Sequence, residues 1–431
     1  MASVAVIGAG PAGAAIAIAL QRQGFEVTIF EKVNPLDAVA QATRKGEKPA
    51  IQFGEVGGGI GLAPNGVKAL TYLGLLAHLQ ALNPETATTI NFCLMDGMDR
   101  IAKDNFKPGA PPPMFLLRTH LQNMLMKVAN ASGIKSYASS ELISLTQNQF
   151  SVTVVFKEGD SRTFDFVVGA DGIHSKIRRL LFPDAPLPTI YGTGFMGTFD
   201  RGARPDGTVV DLDYQIAQYA APLESKFIFA GHCGGQYGEF KVFDLKPTER
   251  DAGKDDWRPV TDLPKETANL ASLVKSWGGV DSLVNCIKHA KKLTPVNLYD
   301  LPDLPQFTKG RVILIGDAAH GTVPFYGQGL NQALEDAVTL ADLMGHFGAG
   351  GYKQAFELYD QLRVDATHRA AGVARQIGAR MQVSSPFKMR MGRFMMRMIF
   401  QMGAFLGIDD GIYHHDCRDE VKKAVSSIQF H

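Results

Sequence analysis

The sequence of 431 residues contains few cysteines, no long apolar run and no excess of charge of either sign. Its four cysteines lie far apart and form no CxxC pair, which argues against a structural zinc site and against a thioredoxin-like redox motif. We therefore expect no metal site and a reducing compartment, the cytoplasm. The chain also lacks an uncharged run of about 20 apolar residues, and no secretory signal is visible at its start. We expect neither a transmembrane helix nor secretion.

The charges of the chain are balanced. Lysine and arginine total 44, aspartate and glutamate total 43, and no basic cluster stands out. This balance argues against a nucleic acid partner. Hydrophobic residues make up 45% and charged residues 20% of the chain, as in ordinary globular proteins. The length suits about two or three domains, or one elaborated domain.

One segment, 389–407, combines methionine and phenylalanine with arginine and permits two interpretations. A basic amphipathic helix of this kind could lie on a membrane surface. A helix packed on its own protein, with methionine filling gaps, is the more common arrangement, and we favour it. Peripheral membrane contact is left as the lesser alternative.

The order of the expected elements indicates the fold class. "SVAVIGAG" reads as a strand, "PAGAAIAIALQRQG" as an alanine-rich helix and "FEVTIFEK" as a second strand, and such a βαβ unit requires a parallel sheet. Short strands joined by glycine-containing turns between about 190 and 295 predict an antiparallel insertion. After residue 327 the chain reads as helix, with breaks at "GHFGAGG" and "SSPF". The prediction is an α/β fold, α+β overall.

A glycine-rich turn follows the first strand and opens the first helix. Residues 8–13, "GAGPAG", fit G-x-G-x-x-G, and Glu31 ends the second strand 18 residues after Gly13. Gly8 would allow the tight turn, Gly10 the approach of backbone to a pyrophosphate, and Gly13 close packing of helix and strand. Glu31 would bind a ribose diol. This motif predicts dinucleotide binding and does not by itself separate NAD from FAD.

Two further motifs follow buried strands. In "DFVVGADGIHSKIRR", Asp171 and Gly172 come directly after the strand, and taken alone they are simply a turn signal. In "GRVILIGDAAHGTVPFYGQGLNQALEDA", the strand delivers Asp317 to its carboxyl end, where ligands of open α/β sheets bind. Asp317 either caps the next turn or accepts a hydrogen bond from a ligand hydroxyl.

Together the three motifs resemble the single-component FAD-dependent aromatic hydroxylases, the monooxygenases of the p-hydroxybenzoate hydroxylase type. The resemblance covers roughly residues 1–180 and 296–400. The stretch "FGEVGGGIGLAPNGVKALTYLG" is similar to the salicylate hydroxylase-like branch. The family's "DG" and "GD" stretches are matched by Asp171, Gly172, Ser175 and Arg178 and by Gly316 and Asp317.

The resemblance implies an architecture and a reaction. A Rossmann-like FAD-binding domain would comprise 1–185 and 296–380, an antiparallel β-sheet substrate domain 186–295, and a C-terminal helical segment 381–431. FAD would be bound, NADPH or NADH and O2 would be co-substrates, and an electron-rich aromatic small molecule would be hydroxylated through a flavin C4a-hydroperoxide. Epoxidation or Baeyer–Villiger-type oxygen insertion is the alternative. The substrate, its regiochemistry, the choice between NADH and NADPH, and the oligomeric state stay open.

The resemblance also implies roles for individual residues. The glycine turn would hold the ADP half of FAD, Arg118 its phosphate–ribityl region, and Asp317 the ribityl chain. Backbone N–H groups of the loop at 327–330 would face the flavin pyrimidine edge, where the helix dipole stabilises an anionic reduced ring. The implied cofactor-binding residues are Gly8, Gly10, Pro11, Ala12, Gly13, Glu31, Lys32, Arg118, Asp171, Gly172, Gly316, Asp317, Pro324, Gly327, Gln328, Gly329, Leu330 and Asn331.

The reaction requires no protein nucleophile, so the candidate catalytic residues are those that shape the space around the flavin. A structural hydrogen bond is the favoured interpretation for His320, and a solvated or structural role is favoured over a catalytic one for Glu335 and Asp336. A surface hairpin is favoured for the "AGHCGGQYGEF" stretch. A flavin-dependent halogenase is disfavoured because Trp257 and Trp277 form no W-x-W-x-I-P segment. The candidates are Pro324, Phe325 and Gly327 at the flavin face and, as possible pocket residues, His232 and Tyr237.

Overall fold

A computed structural model describes residues 1–33, 57–104, 109–246, 259–406 and 411–428, with backbone only at 403–406. The helices are α1 (Pro11–Arg22), α2 (Pro64–Tyr72), α3 (Leu76–Gln80), α4 (Arg118–Ala131), α5 (Lys176–Leu181), α6 (Leu263–Ser276), α7 (Asp281–Lys288), α8 (Asp317–His320), α9 (Gly329–Phe347), α10 (Tyr352–Arg380), α11 (Pro386–Leu406) and α12 (Cys417–Ile428). The strands are β1 (Ser3–Ile7), β2 (Glu26–Phe30), β3 (Gly59–Leu62), β4 (Glu85–Thr86), β5 (Thr89–Leu94), β6 (Ile101–Asp104), β7 (Met114–Leu117), β8 (Lys135–Tyr137), β9 (Leu142–Gln147), β10 (Val152–Phe156), β11 (Ser161–Phe164), β12 (Phe166–Gly169), β13 (Thr189–Asp200), β14 (Gly202–Ala203), β15 (Val209–Val210), β16 (Ile216–Ala221), β17 (Lys226–His232), β18 (Tyr237–Asp244), β19 (Ala290–Asp300), β20 (Thr308–Lys309) and β21 (Val312–Leu314).

The three motif strands lie side by side in one sheet. Its six strands have the order β20-β21-β12-β1-β2-β8, and all neighbours pair in parallel except the edge strand β20. The register places Ile7 beside Gly169 and Gly169 beside Leu314. Because the carboxyl ends of parallel strands share one edge, the turns that follow β1, β12 and β21 meet there. The predicted parallel sheet is confirmed.

A second sheet of seven strands has the order β19-β13-β18-β17-β16-β5-β6. Its pairs are antiparallel except for β16 with β5. The expected antiparallel insertion between 190 and 295 is therefore present, but the sheet extends beyond it, to Asp300 in β19 and to the hairpin of β5 and β6. Pairing of β5 with β16 joins residues about 125 positions apart, and such a contact leaves no local sequence signal.

The two faces of this sheet pack on different partners. One face packs against α6 and α7 around the Phe240 and Val242 side chains of β18. The other face carries Phe227 and Phe243 and packs with Phe325 of the 3₁₀ turn Pro324–Tyr326. Side chains alternate along a strand, so the choice of face follows from odd or even position. The second face therefore looks toward the turn that follows β21.

The chain after residue 327 is helical, as predicted, with breaks after α9 and α10. Helix α9 packs against α1 and α2, and α12 returns to pack on α9. The Met-rich segment does form a helix, α11. The favoured packing of this helix on its own protein is wrong for most of its apolar side chains, since Phe387 and Phe394 are 72% and 56% exposed and none of its described residues is buried.

In the part of the chain that the structure describes, no helix has the length and apolar character that crossing a bilayer requires.

Candidate active site

The glycine turn between β1 and α1 leaves open space at one glycine only. Gly8 has φ +105°, and a Cβ atom there would collide with the carbonyl oxygen of Ala170. A Cβ atom at Gly13 would collide with the carbonyl oxygen of Gly8. At Gly10 a Cβ atom would meet nothing within 4 Å. The first and third glycines thus permit close backbone packing, while the second faces a space at the N-terminus of α1 that fits a pyrophosphate.

Glu31 lies buried at the end of β2, beside this turn. Its carboxylate accepts hydrogen bonds from the N–H groups of Ala9, at 2.8 Å, and Val33, at 3.0 Å. Each carboxylate oxygen has a second lone pair, so the group can still accept from a ribose diol. Lys32 is exposed. Sequence reasoning missed Gln122 of α4, whose side-chain amide donates to the Ala9 carbonyl and holds the turn from the other side.

Arg118 and Asp317 lie in one cleft with Glu31. Arg118 begins α4 directly after the buried strand β7, and its side chain reaches solvent. Surrounding protein nevertheless lowers the pKa of its guanidinium, and the Asp317 and Glu31 carboxylates oppose that shift. The Arg118 guanidinium thus lies within electrostatic reach of both acids, beside the space at the α1 N-terminus, and we call this region the cleft. This cleft, with a cation, an acid and the α1 N-terminus, fits the phosphates and ribityl chain of FAD.

The Asp171–Gly172 motif has a structural task. The Asp171 carboxylate accepts from the Ser175 hydroxyl, at 2.5 Å, and from the backbone N–H of Lys176, at 2.7 Å, so it caps α5. Arg178 of this helix donates to the carbonyl of Ala319 in α8, at 2.7 Å. The motif therefore ties the turn after β12 to the turn after β21. A contact of Asp171 or Gly172 with a cofactor stays a prediction.

The loop at 324–328 carries both candidate flavin contacts and pocket residues. Pro324 is exposed, and Phe325 is buried against the rings of Tyr191, at 5.5 Å, and Phe227, at 5.4 Å. Gly327 adopts a left-handed conformation. Its N–H donates to the Pro324 carbonyl at 3.1 Å, and the expected donation by this group to the flavin stays a prediction. This hydrogen bond closes the 3₁₀ turn, and the next candidate donors are backbone N–H groups further along the chain.

Those donors belong to the first turn of α9. The first N–H groups of an α-helix have no partner within the helix, and α9 begins at Gly329. Asp317 lies next to this helix start, with a carboxylate oxygen 3.8 Å from where a Gly329 Cβ atom would stand. The start of α9 therefore lies beside Asp317, and a flavin contact by the N–H groups of Gly329 and Leu330 stays a prediction. Gly316 directs its own N–H to Asp336 instead, at 2.9 Å.

The side chains of Asn331 and Gln328 form hydrogen bonds with other parts of the protein. The Asn331 side chain is fully buried, accepts from the N–H of Ala63 at 2.9 Å and donates to the Gly327 carbonyl at 2.8 Å. Gln328 is also buried and accepts from the Asn65 amide at 3.0 Å. Both side chains are thus engaged within the protein, and the cofactor contacts expected of these two residues stay a prediction. The two side chains fix the loop against α2, a contact across more than 260 residues that no local pattern reveals.

A buried ionic network lies beneath this loop. Asp336 accepts from His320 at 2.6 Å and from Arg363 at 2.7 Å, and Arg363 also binds Glu335 at 2.9 Å. All three ions are completely buried. The paired cations hold the pKa of Asp336 at about 2, although burial opposes this. The structural roles favoured for His320, Glu335 and Asp336 are confirmed, and the solvated alternative for the two acids is wrong.

Beyond Phe325, one face of the seven-stranded sheet forms an aromatic wall. We call this the pocket wall and define it as Tyr191, Met196, Phe227, Phe229 and Phe325, which belong to one apolar cluster. Helix α10 closes it, since a Cβ atom at its Gly378 would touch Phe325 and Tyr191. This arrangement suits a flat apolar ring.

One ion pair lies at the edge of the pocket wall. Lys241 of β18 donates to Glu239 at 2.8 Å and to the Gly59 carbonyl at 2.9 Å, and its ammonium lies 4.8 Å from the centre of the Phe229 ring. Glu239 is 1% exposed and also accepts from the Gly59 N–H at 2.5 Å. Sequence reasoning missed this pair. Its signal was present in "GEFKVFDL", where two charges alternate with apolar residues of a buried strand.

The two candidate residues of the hairpin, His232 and Tyr237, lie on opposite faces of the seven-stranded sheet. His232 lies on the face of β17 opposite to Phe227 and Phe229, where it hydrogen-bonds Asp211 at 2.9 Å. Strand alternation thus turns its side chain away from the pocket wall, which does not support the pocket role offered as the lesser alternative for His232. Tyr237 shares a face with Glu239 and Lys241, and its ring contacts His120 of α4 at 5.2 Å. A pocket role for Tyr237 stays a prediction.

Comparison with known proteins agrees with this geometry. The chain matches the FAD binding domain family over residues 1–198 and 303–379. It is 28% identical over 378 residues to the 3-amino-4-hydroxybenzoate 2-monooxygenase of Streptomyces cremeus, covering 85% of this chain and 85% of that protein. It is 26% identical over 381 residues to the salicylate hydroxylase of Pseudomonas putida, covering 84% of this chain and 81% of that protein.

Solved structures share the fold. HpxO of Klebsiella pneumoniae, complexed with FAD and uric acid, superposes with a TM-score of 0.74 at 20% identity, covering 96% of this chain and 97% of that one. The resemblance to the FAD-dependent aromatic hydroxylases is confirmed. The chain belongs to the FAD binding domain family and is a flavin-dependent monooxygenase of the aromatic hydroxylase type.

Proposed function

We propose that this monooxygenase hydroxylates a small, electron-rich aromatic compound that binds against the pocket wall, beside the loop at 324–328. The observation that carries the proposal is the position of Phe325. This side chain belongs to the pocket wall, while Gly329, four residues on, starts the helix that faces the cofactor cleft. A ring held against Phe325 therefore lies next to the place where the loop would meet a flavin.

The cleft residues would hold FAD in parts. The open space at Gly10 and the α1 N-terminus suit the pyrophosphate, Glu31 the ribose, and Arg118 and Asp317 the phosphate–ribityl region. The α9 N-terminus would hold negative charge on the ring, because its N–H groups and dipole stabilise an anion. FAD, once reduced by NADH or NADPH, supplies the activated oxygen. The protein's own task is to orient the aromatic ring and exclude water.

The pocket wall supplies the orientation. Tyr191, Phe227 and Phe325 meet edge to face, an arrangement that leaves a rigid apolar surface. Lys241 is the charged donor next to this surface. An ammonium carries three donors, and the bonds to Glu239 and Gly59 use two, so an anionic oxygen of the substrate can receive the third. We therefore favour a phenolate or an aromatic carboxylate.

The relatives are consistent with such a substrate. The enzyme from Streptomyces cremeus is named for an aminohydroxybenzoate and that from Pseudomonas putida for salicylate, both hydroxylated aromatic acids. We retain residues 1–185 and 296–380 as the FAD-binding domain, and we add β5 and β6 to the substrate-binding sheet of 186–295. The four buried, free cysteines support a reducing compartment, the cytoplasm.

The test is substrate-stimulated turnover. FAD-loaded protein receives NADH or NADPH in parallel, with salicylate, 3-hydroxybenzoate, 3-amino-4-hydroxybenzoate, urate and the phenols that lack the carboxylate. We expect one aromatic to accelerate NAD(P)H oxidation, with one atom of isotopically labelled O2 appearing as a ring hydroxyl. An epoxide or an inserted ester oxygen would support the alternative reaction. NAD(P)H oxidation that no aromatic accelerates would contradict the proposal.

A further inference from the structure

Helix α11 presents an apolar face to solvent. Phe387, Met391, Phe394, Met398 and Met402 recur at intervals of three and four residues, so they share one side of the helix. We call this side the outer face. All five side chains are exposed, between 38% and 72%. Monomeric proteins seldom leave so many neighbouring large apolar side chains uncovered, and those that do use them for binding.

The opposite side of α11 anchors the helix. Arg393 and Arg397 both pair with Asp99, in the hairpin between β5 and β6. The ring of Phe400 lies 5.5 Å from that of Phe92 in β5. These contacts fix the rotation of the helix about its axis. Because these contacts hold the opposite side against the protein, the outer face points away from it.

The charged residues of α11 itself are all of one sign. Lys388 and Arg390 are exposed and, at 100° per residue, stand on either side of the apolar stripe. Residues 386–406 contain no aspartate or glutamate. An apolar stripe bordered by cations is the pattern of a helix that lies in a lipid interface. The long Lys and Arg side chains can reach headgroup phosphates while the stripe contacts acyl chains.

We infer that α11 docks this protein on the surface of a bilayer that contains anionic lipids. The helix lies parallel to the surface, with the outer face at the boundary of headgroups and acyl chains. A second copy of the chain fits the face less well. Contact between two outer faces would bring Lys388 and Arg390 of both copies together, and α11 has no acid to pair with them. Anionic headgroups supply that pairing.

Vesicle co-sedimentation of the full FAD-loaded chain tests the inference. We expect binding to phosphatidylcholine vesicles that contain phosphatidylglycerol, weak binding to pure phosphatidylcholine, and weakening by salt. Phe394→Ser together with Met398→Ser should lower the partition coefficient by roughly 10–100-fold, because both side chains leave the acyl boundary. Lys388→Gln with Arg390→Gln should reduce the preference for anionic lipid by about 5–30-fold.

A matched control lies elsewhere on the surface. Phe150, 70% exposed in the turn between β9 and β10, can be changed to Ser with a similar loss of exposed apolar area. That variant should bind vesicles like wild type. Since all of these side chains point into solvent, FAD absorbance and thermal unfolding should stay unchanged in each variant. Failure of the wild type to bind anionic vesicles, or unchanged binding by the α11 variants, would overturn the inference. So would a dimer in light scattering that F394S/M398S dissociates without any vesicle binding.

Discussion

Around the glycine turn, backbone atoms of β1, β12 and α1 approach so closely that two positions admit no Cβ atom. Across the pocket wall, by contrast, the contacts are between the rings of Tyr191, Phe227 and Phe325. The cofactor region is thus made of main chain and charge, and the substrate region of side chains. Backbone contacts fail when any atom is added, whereas side-chain contacts change gradually with size and shape. We expect substitutions in the cofactor region to abolish folding or FAD binding, and substitutions in the substrate region to change the affinity for the substrate.

The largest effect should come from the glycine turn. Gly13→Ala places a methyl group against the Gly8 carbonyl, so β1 and α1 must separate and the folded state should be lost or destabilised by more than about 3 kcal/mol. Gly10→Ala meets no protein atom within 4 Å. It should fold normally and lose FAD affinity, because its methyl group enters the space proposed for the pyrophosphate. Thermal unfolding without FAD and a fluorescence titration with FAD separate the two results. Normal FAD binding by Gly10→Ala would contradict the proposed cradle.

A smaller effect should follow from the ionic network beneath the flavin loop. Arg363→Met removes the cation shared by Glu335 and Asp336, so each buried acid loses its arginine partner, which should cost about 3–5 kcal/mol in the free energy of unfolding. Arg375 is the matched control. It also pairs with two acids, Asp300 and Asp303, but stands at the surface, with 31% of its side chain exposed.

Arg375→Met should therefore cost at most about 1 kcal/mol. Urea unfolding of both variants measures the difference. Equal losses would mean that burial of the Arg363 network contributes nothing beyond the ion pairs themselves.

The cofactor region and the substrate region also differ in how far the sequence predicts their residues. The glycine turn and Asp317 were singled out as candidates because their signals are local, a fixed spacing next to a strand end. The partners of Asn331 and Gln328 were missed because they lie more than 260 residues away, in α2 and in Ala63 directly before it. A long-range hydrogen bond leaves no sequence spacing to recognise, so the role of these two side chains in supporting the loop was not predicted.

In the substrate region the error has another cause. His232 and Lys241 occupy neighbouring strands, and each faces one side or the other according to odd or even position. His232 attracted attention because of its chemistry, but its position turns it away from the pocket wall. Applying the same alternation to β18, where Phe240 and Val242 are core residues, would have placed Glu239 and Lys241 on the opposite face. The sequence predicted the strand, but the face on which each of its side chains lies was not assigned.

Lys241 offers a test of the substrate region. Lys241→Met should raise KM for aromatic acids about 10–100-fold, because the anion loses its donor, and should leave the KM of neutral phenols nearly unchanged. Lys226→Met is the control. Lys226 pairs with Asp244 on the same sheet, but its ammonium lies over Trp277 on the far side. Steady-state kinetics with both substrate classes decide the matter. A similar KM increase for acids and neutral phenols would show that Lys241 only positions the sheet, through Gly59.

The smallest effect should be a pH dependence confined to the cofactor region. His415, between α11 and α12, bonds Glu335 at 3.0 Å and Glu420 at 3.1 Å, and these acids raise its pKa to about 9 although burial opposes the shift. A histidine whose folded pKa exceeds the unfolded value of about 6.5 stabilises the fold fully below that value. The stability is lost as pH rises through 9. We expect the free energy of unfolding to fall by about 1–2 kcal/mol, since the side chain is partly exposed.

His415→Gln should remove this loss between pH 6.5 and 9 when urea unfolding is repeated across that range, while His232→Gln, on the far face of the other sheet, should retain it. A wild type that loses no more stability than His415→Gln would mean that Glu335 is satisfied by Arg363 alone, and the C-terminal helix would then be held by packing instead of charge.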